Sequence, residues 1–460
     1  MNARHQRKTN SRYLRPQCGV ASLAVVMVLF FIMSLVAAYT SRNLIFEQRT
    51  SGNQYRSTQA FEAAEAGIEW ALSMLNSGRI DATCAASTNV ANDSFRQRYL
   101  HIAGSGNVKL GPQIDPSVET PPQLPRSAGC VFNGATWGCN CPVNDEPALT
   151  LPTGTGSFPA FRIRFVVPAG APVPGLIRLE SNGCTRADDN CLKFEGNPQT
   201  GAGDGRATVS TLVALKSGLV APPIAALTVR GDFTLAPTVG LKAVNADNGA
   251  GGISVLSGGA RPPSTNLQRF GAPGTPGERS VIDGDLNLFN MRDTGGRLPS
   301  ESGFEAVWRD SRMFASVFGA WPETYRTQPA AVELTCAGGN CTATQVRAAT
   351  SLNPGRVIWV LGNLVLNSAG DIGSLSDPVV LVVAGNVSNP SNVDVFGVVY
   401  STAETWVTSG GGTVHGAAVA EGGLSGNGTS TFVYDASVLE TLRLRTGSFV
   451  RVPGSWKDFE

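Results

Sequence analysis

The sequence predicts an α+β protein in which a long N-terminal helix precedes an antiparallel sheet and then a C-terminal β-rich domain. Three observations predict it: a helical pattern without proline over residues 19–75, alternating apolar and polar residues from about 160, and short apolar triplets between Gly, Asn, Asp and Ser from 227. We divide the chain into a leader (1–19), a transmembrane and amphipathic stem helix (20–76), a head with disulfide loops (77–220), a β-rich domain (221–453) and a tail (454–460).

The helix begins with an apolar run long enough to cross a membrane. No charged residue lies between Arg15 and Arg42, and residues 20–39 are nearly all apolar or small. A helix of about 20 such residues spans the bilayer core. Five basic residues and no acidic residue precede the run, so the positive-inside rule predicts a cytoplasmic N-terminus and a periplasmic body.

The leader differs from an ordinary secretory signal, in which a shorter apolar core precedes the cleavage site. Here the distinctive small residue, Gly19, comes before the apolar run. Cleavage between Gly19 and Val20 would remove the basic leader and keep the apolar helix. Beyond the membrane, the Asn76-Ser77-Gly78 sequence predicts a left-handed helix stop. The stem repeats apolar residues at helical spacing: Phe61, Ala64, Ile68, Leu72 and Leu75.

Residues 15–76 resemble the N-terminal domain of PilX-type minor pilins. The segments QCGVASLAVVMVLF and NLIFEQRTSGNQYRSTQAFEAAEAGIEWAL carry the resemblance, and Asn53 and the AFEAAEAG stretch are its most specific parts. The resemblance implies cleavage by a prepilin peptidase after Gly19 and methylation of the new amine of Val20. It also implies partners among other pilins, minor pilins and the inner-membrane pilus assembly machinery, with the precursor in the inner membrane and the assembled protein on the cell surface.

One position departs from the pattern of type IV pilins. Most of them carry Glu at the fifth mature position, where it is thought to pair with the N-terminal amine of a neighbouring subunit. Here that position is Ala24. Either PilX-like proteins often lack this Glu, or this subunit occupies a place that needs no such pairing, such as the fibre tip or an initiating complex.

The cysteines fit an exported protein. Without Cys18 in the leader, eight remain, an even number in an oxidising compartment. Cys184 and Cys191 are predicted to close one polar loop, and Cys336 and Cys341 a tight Gly-rich one. The pairing of the other four stays open, and a zinc site is disfavoured because no C-x₂-C spacing or nearby His completes it. These four are Cys84, Cys130, Cys139 and Cys141.

Composition excludes some functions. Without the leader the formal charge is 31 minus 35, or −4, so nothing favours nucleic-acid binding. We find no catalytic motif and expect neither an enzyme nor a cofactor. Oxygen-rich clusters could hold calcium, but such clusters are more typical of turns. They are Asp283-Gly284-Asp285, Asp188-Asp189-Asn190 and Asn245-Ala246-Asp247-Asn248.

The body is predicted to contain two kinds of sheet. Three strands over about 158–217 should form a pilin-like antiparallel sheet on the C-terminal half of the stem. The later triplets favour a β-solenoid, with a β-sandwich as the alternative. Within that region a helix over 302–321 has a capping-box spacing at Ser302 and Glu305 and is expected to pack on its own domain, across one end of the solenoid. Its aromatic face comprises Phe304, Trp308, Phe314 and Phe318.

These observations predict a minor pilin-like subunit of a type IV pilus that takes part in assembly or priming and displays a surface domain, with adhesion as a secondary hypothesis. The alternatives are a pseudopilin of type II secretion and a membrane-anchored β-helical enzyme that acts on polysaccharide. A pseudopilin would share the helix and tolerate Ala24. An enzyme would need a cluster of carboxylates or basic residues on one solenoid face.

Overall fold

A single helix, α1 (Cys18–Leu75), begins the described chain and matches the predicted stem. The computed structural model describes residues 18–121, 126–143, 146–153, 157–170, 173–194, 204–235, 240–247, 249, 251–260, 267–270, 280–291 and 311–458. The chain divides into two compact units, residues 1–58 and 59–460. Residues 1–17 of the leader and the predicted cap at Ser302 and Glu305 lie outside the described residues.

The predicted left-handed stop after α1 is wrong. Neither Asn76 nor Gly78 has a positive φ. Side chains satisfy the last carbonyls of the helix instead: Asn76 Nδ2 donates to Leu72 O at 3.0 Å, and Ser77 Oγ donates to Met74 O at 2.7 Å. The helix therefore ends through side-chain capping rather than through a glycine turn.

The head follows α1 and is rich in β structure. We use "head" for residues 76–218 together with 447–458. Its elements before the solenoid are α2 (Phe95–Tyr99), β1 (Leu100–Ile102), β2 (Val108–Leu110), β3 (Ser127–Phe132), β4 (Trp137–Asn140), β5 (Ala160–Val166), β6 (Leu176–Cys184), α3 (Asp189–Leu192) and β7 (Arg206–Ser217).

The solenoid, residues 219–446, comes next, and the chain then returns to the head. The solenoid's described elements are β8 (Leu227–Val229), β9 (Phe233–Leu235), β10 (Leu241–Val244), β11 (Val255–Ser257), β12 (Leu267–Phe270), β13 (Val281–Ile282), α4 (Leu286–Phe289), α5 (Arg312–Phe318), α6 (Pro322–Arg326), β14 (Ala331–Leu334), a 3₁₀ turn (Ala337–Gly339), β15 (Asn340–Thr342), α7 (Ala343–Leu352), β16 (Val357–Val360), β17 (Asn363–Val365), β18 (Val379–Val383), β19 (Val387–Ser388), β20 (Val395–Ser401), β21 (Thr405–Thr408), β22 (Thr413–Ala420), β23 (Gly423–Gly426), β24 (Thr431–Tyr434) and α8 (Ala436–Arg445). The last strand of the head is β25 (Gly447–Arg451).

The head sheet contains the three predicted strands. Its order is β25-β7-β6-β5-β3-β4, and all its pairings are antiparallel. One face packs on the C-terminal part of α1, where Ile68 and Leu75 share a core with Phe161 and Ile177. The alternating pattern read from the sequence therefore marks the strands that hold the stem.

The solenoid is inserted between two neighbouring strands of the head sheet. Strands β7 and β25 pair directly, with Ser217 opposite Gly447, although the whole solenoid lies between them in sequence. Gly218 N donates to Thr446 O at 2.7 Å, so the entry and exit of the insertion are adjacent. The domain range 221–453 consequently needs correction, because residues 447–451 belong to the head.

The inserted domain is built from parallel strands, as the solenoid prediction expected and the sandwich alternative did not. A larger sheet contains β14, β16, β18, β20 and β22, and a smaller one has the order β15-β17-β19-β21-β23-β9. Successive strands alternate between the two sheets, which is the pattern of stacked rungs. Between the sheets lies an apolar core that includes Ile358, Leu381, Val399 and Trp406.

Stacking does not follow chain order throughout. Strand β8 pairs with β22 and β9 pairs with β23, so the first segment of the solenoid stacks on its last rungs. Neighbouring rungs at this end of the solenoid therefore come from distant segments of the chain.

Helices cover the outer face of the larger sheet. Phe314 and Phe318 of α5 are buried against Tyr325, Trp359 and Tyr400. Phe314 and Phe318 thus pack on their own domain, as the sequence predicts. The predicted position across one end of the solenoid is wrong, because they lie along the face of a sheet. Phe304 and Trp308 lie outside the described residues.

Candidate membrane and fibre anchor

The N-terminal part of α1 presents an apolar surface on all sides. From Ala21 to Thr40 the side chains are exposed, and an 18-residue window has a mean hydropathy of 2.7, enough for a membrane span by length and composition. A helix that is apolar all round is stable only when lipid or other helices surround it. Large side chains of this surface include Leu23, Val26, Met27, Phe30, Phe31, Ile32, Met33, Leu35 and Val36.

Threonine side chains at the end of the apolar surface and beyond it bond within the helix. Thr40 Oγ1 donates to Val36 O at 2.9 Å, and Thr50 Oγ1 donates to Phe46 O at 2.9 Å. These bonds satisfy the hydroxyl protons without water. Charged residues begin at Arg42, so the chemistry of the surface changes at that point of the helix.

The predicted processing residues belong to the same helix. Gly19 and Val20 lie in its first turn, and Ala24 is exposed on it. Glu47 is the first acidic residue of the sequence, so no carboxylate lies near the start of the helix on this chain. The apolar surface therefore offers no charge of its own to a neighbouring amine.

Two glycines allow close packing where α1 meets the head sheet. A Cβ on Gly183 of β6 would lie 2.2 Å from Ala60 O and 2.3 Å from Ala64 N. A Cβ on Gly67 would lie 2.2 Å from Ser181 Oγ. Because helix and strand backbones approach this closely, any side chain at position 183 must displace the helix from the sheet.

The Asn76 side chain ties the end of α1 to the last strand of the chain. Its Oδ1 accepts from Phe449 N at 2.8 Å, and its Nδ2 donates to Phe449 O at 2.9 Å. The amide thus mimics a neighbouring strand and protects the outer edge of β25. Sequence reasoning treated Asn76 only as a turn former and missed this role.

Arg96 makes a second connection at the same junction. It donates from Nε to Leu75 O at 2.9 Å, from Nη1 to Gly355 O at 3.1 Å, and from Nη2 to Gly447 O at 3.0 Å. The side chain is buried, and desolvation, with a smaller contribution from Arg356, lowers the pKa of Arg96 to about 9, which keeps it charged at neutral pH. A cation at a helix C-terminus is favourable. One side chain therefore joins the stem, the solenoid and the last strand.

Four disulfides connect the eight cysteines that follow the leader. Cys184 bonds to Cys191 and Cys336 to Cys341, the pairs that sequence proximity favours. The four cysteines left open by the sequence form the pairs Cys84–Cys141 and Cys130–Cys139. The first of these spans 57 residues. The loop-entropy relation predicts that such a crosslink stabilises the folded protein by about 4 kcal/mol.

The oxygen-rich clusters form turns and helix caps. Asp285 Oδ1 accepts from Asn287 N at 2.9 Å as the cap of α4, and Asp188 caps α3. Asp247 Oδ1 accepts from Gly249 N at 2.8 Å. Among the described residues, no group of three or more His, Cys, Asp or Glu side chains is arranged to hold a metal.

The C-terminal tail packs on the head. Lys457 pairs with Ser210 beyond the end of β25, and the ring of Trp456 lies edge-on to Phe61 with centroids 6.1 Å apart. The tail therefore contacts the stem beside the head sheet and is not a separate element.

Comparison with known proteins finds one family model that matches the anchor segment. Residues 19–69 match the family described as PilX N-terminal, which confirms the resemblance read from the sequence for this segment. No curated protein matches the chain.

Two solved structures show weak likeness. The competence-associated pilin ComZ from Thermus thermophilus is 12% identical, with 87% of this chain and 97% of that chain covered and a TM-score of 0.21. An ice binding protein from an Antarctic Biological Consortium is 13% identical, with 48% and 94% covered and a TM-score of 0.19. TM-scores this low carry no argument about this chain.

Proposed function

We propose that this protein is a minor pilin-like subunit of a type IV pilus, which takes part in assembly or priming and displays its solenoid at the surface. The observation that carries the proposal is the exposed, uncharged helix surface at residues 21–40 within the segment that matches the PilX N-terminal family. Lipid would cover this surface in the precursor, and the helices of other pilins would cover it in the fibre. Prepilin peptidase and the inner-membrane assembly machinery are the partners that this route requires.

The inserted solenoid favours a minor role. It occupies residues 219–446, nearly half of the chain, on a head that must fit beside its neighbours. A subunit with so large an insertion cannot repeat densely along a shaft, whereas a tip or priming position accommodates it. The missing carboxylate at Ala24 fits such a position, because a tip subunit has no neighbour ahead of it to neutralise.

We assign no catalytic role. The resemblance is to structural subunits. The buried carboxylate of Glu421 accepts a hydrogen bond from the phenol of Tyr400 at 2.5 Å within the packed solenoid. Adhesion is the function that would use a displayed and otherwise inert domain.

A charge within the apolar surface tests the proposal. We expect Phe30→Arg to remove the protein from both the membrane fraction and sheared fibres, because a central Arg costs roughly 2.5–3.5 kcal/mol on insertion scales. Tyr55→Arg is the matched control, since Tyr55 is equally exposed on α1 but lies beyond the apolar run. Immunoblots of the two fractions provide the measurement. Normal fibre incorporation of Phe30→Arg would contradict the proposal.

A further inference from the structure

One face of the solenoid carries a regular array of side chains, all but one of them uncharged. It is the outer face of the smaller parallel sheet, and the strand register aligns its residues in two columns. We call these residues the ladder face: Asn340, Asn363, Asn386, Thr405, Gly423 and Asp232 in one column, and Thr342, Val365, Ser388, Val407, Ser425 and Thr234 in the other.

The ladder face is rigid. The residues that alternate with it point inward and are buried, among them Leu364, Trp406 and Leu424. Along the first column, Asn363 Nδ2 donates to Asn340 Oδ1 at 2.9 Å, and Asn363 Oδ1 accepts from Asn386 N at 2.9 Å. Because the side chains are held in this way, binding a ligand would cost little side-chain conformational entropy.

Size limits the choice of partner. Strands about 4.8 Å apart make the six-stranded face about 24 Å long, and the two columns lie about 7 Å apart. This strip is well short of the roughly 800 Å² per partner that a stable protein complex buries. A single extended polymer chain fits its dimensions.

Charge limits the choice further. Every side chain of the ladder face is neutral except that of Asp232, which lies at the end of the first column, and Glu404 beside the face is also acidic and exposed. An anionic polymer would find no cation among the ladder-face side chains and would be repelled by these two carboxylates. The face instead offers hydroxyl, amide and methyl groups, which suit a neutral chain with many hydroxyls.

We infer that the ladder face binds a straight, neutral, β-linked polysaccharide that lies along the two columns. The hydroxyls of the sugar chain bond to the Asn, Ser and Thr side chains, and its C–H groups pack on Val365 and Val407. This inference deepens the proposed display role and rests on it. It names the ligand class of the displayed domain.

Binding of purified full-length protein in detergent to suspended cellulose tests the inference. Val407 lies at the centre of the strip and is 37% exposed. We expect Val407→Arg to lower the bound fraction by about tenfold or more, because the arginine breaks the flat contact and must lose water. Ser425→Lys repeats the test at the adjacent strand. Ala348→Arg, at an exposed position of α7 outside the two columns, is the control and should bind like the unaltered protein.

The possible results separate clearly. Cellulose binding that survives raised ionic strength and is lost in both face variants supports the inference. No binding to cellulose, equal binding by all variants, or retention only on polygalacturonate, an anionic polymer, would overturn it. Fibre incorporation is measured separately, so a failure here does not count against the pilus role.

Discussion

Replacing residues 219–445 by Asn-Gly should leave a folded head that still docks on the stem. The change keeps Gly218 and Thr446, which already bond across the pair, and Asn-Gly closes a two-residue hairpin between β7 and β25. The head core is built from residues of the stem and head alone, including Phe449 of β25. We expect one cooperative unfolding transition and normal entry of the shortened protein into fibres.

Deletion of residues 225–453 is the informative contrast. It removes less of the N-terminal side of the insertion but also removes β25, and with it Phe449 and the partners of Asn76. Loss of a buried phenylalanine alone costs about 3–5 kcal/mol. Circular dichroism and urea unfolding of the two proteins provide the measurement. If the two deletion proteins were equally stable, or if the Asn-Gly variant were unfolded, the result would contradict the view that the solenoid is inserted into a self-sufficient head.

Gly183→Val should separate the stem from the head sheet. Valine at this position would overlap backbone atoms of Ala60 and Ala64, which lie 2.2 and 2.3 Å from the Cβ position. Backbone atoms on both sides cannot move aside as side chains do. We therefore expect the free energy of unfolding to fall by about 3 kcal/mol or more, at the upper end of overpacking effects.

Gly138→Ala provides the control for this prediction. A Cβ on Gly138 meets only Val131 O, at 3.9 Å, in the same sheet. Urea unfolding of full-length protein in detergent, together with protease cleavage between stem and head, distinguishes the variants. A Gly183→Val protein that unfolds like the unaltered one would show that the stem does not pack on β6.

The sequence predicts the elements whose signal is local. Uninterrupted helical periodicity marks α1, alternation marks β5 and β7, and apolar triplets indicate the parallel strands. The family of the first segment follows from a contiguous motif that begins at Gly19. In each case the residues that define the feature are near one another in the chain.

What the sequence does not reveal depends on distant backbone atoms. Asn76 meets Phe449 across 373 residues, and no periodicity near either residue signals the contact. Arg96 bonds to three carbonyl groups, which any residue could supply, so no charge pattern identifies its partners. The return of β25 to the head and the stacking of β8 on β22 also depend on backbone atoms far apart in the chain, so no local pattern predicts them. The left-handed stop failed because the Asn76 side chain competes successfully with the local preference of Gly78.

The most direct test of the central claim is the mature N-terminus of the protein in sheared surface fibres, determined by mass spectrometry with and without prepilin peptidase. The account predicts a peptide that begins at methylated Val20, present in fibres and absent when the peptidase is removed. An uncut protein that stays in the membrane fraction, with no such peptide in fibres, would contradict it.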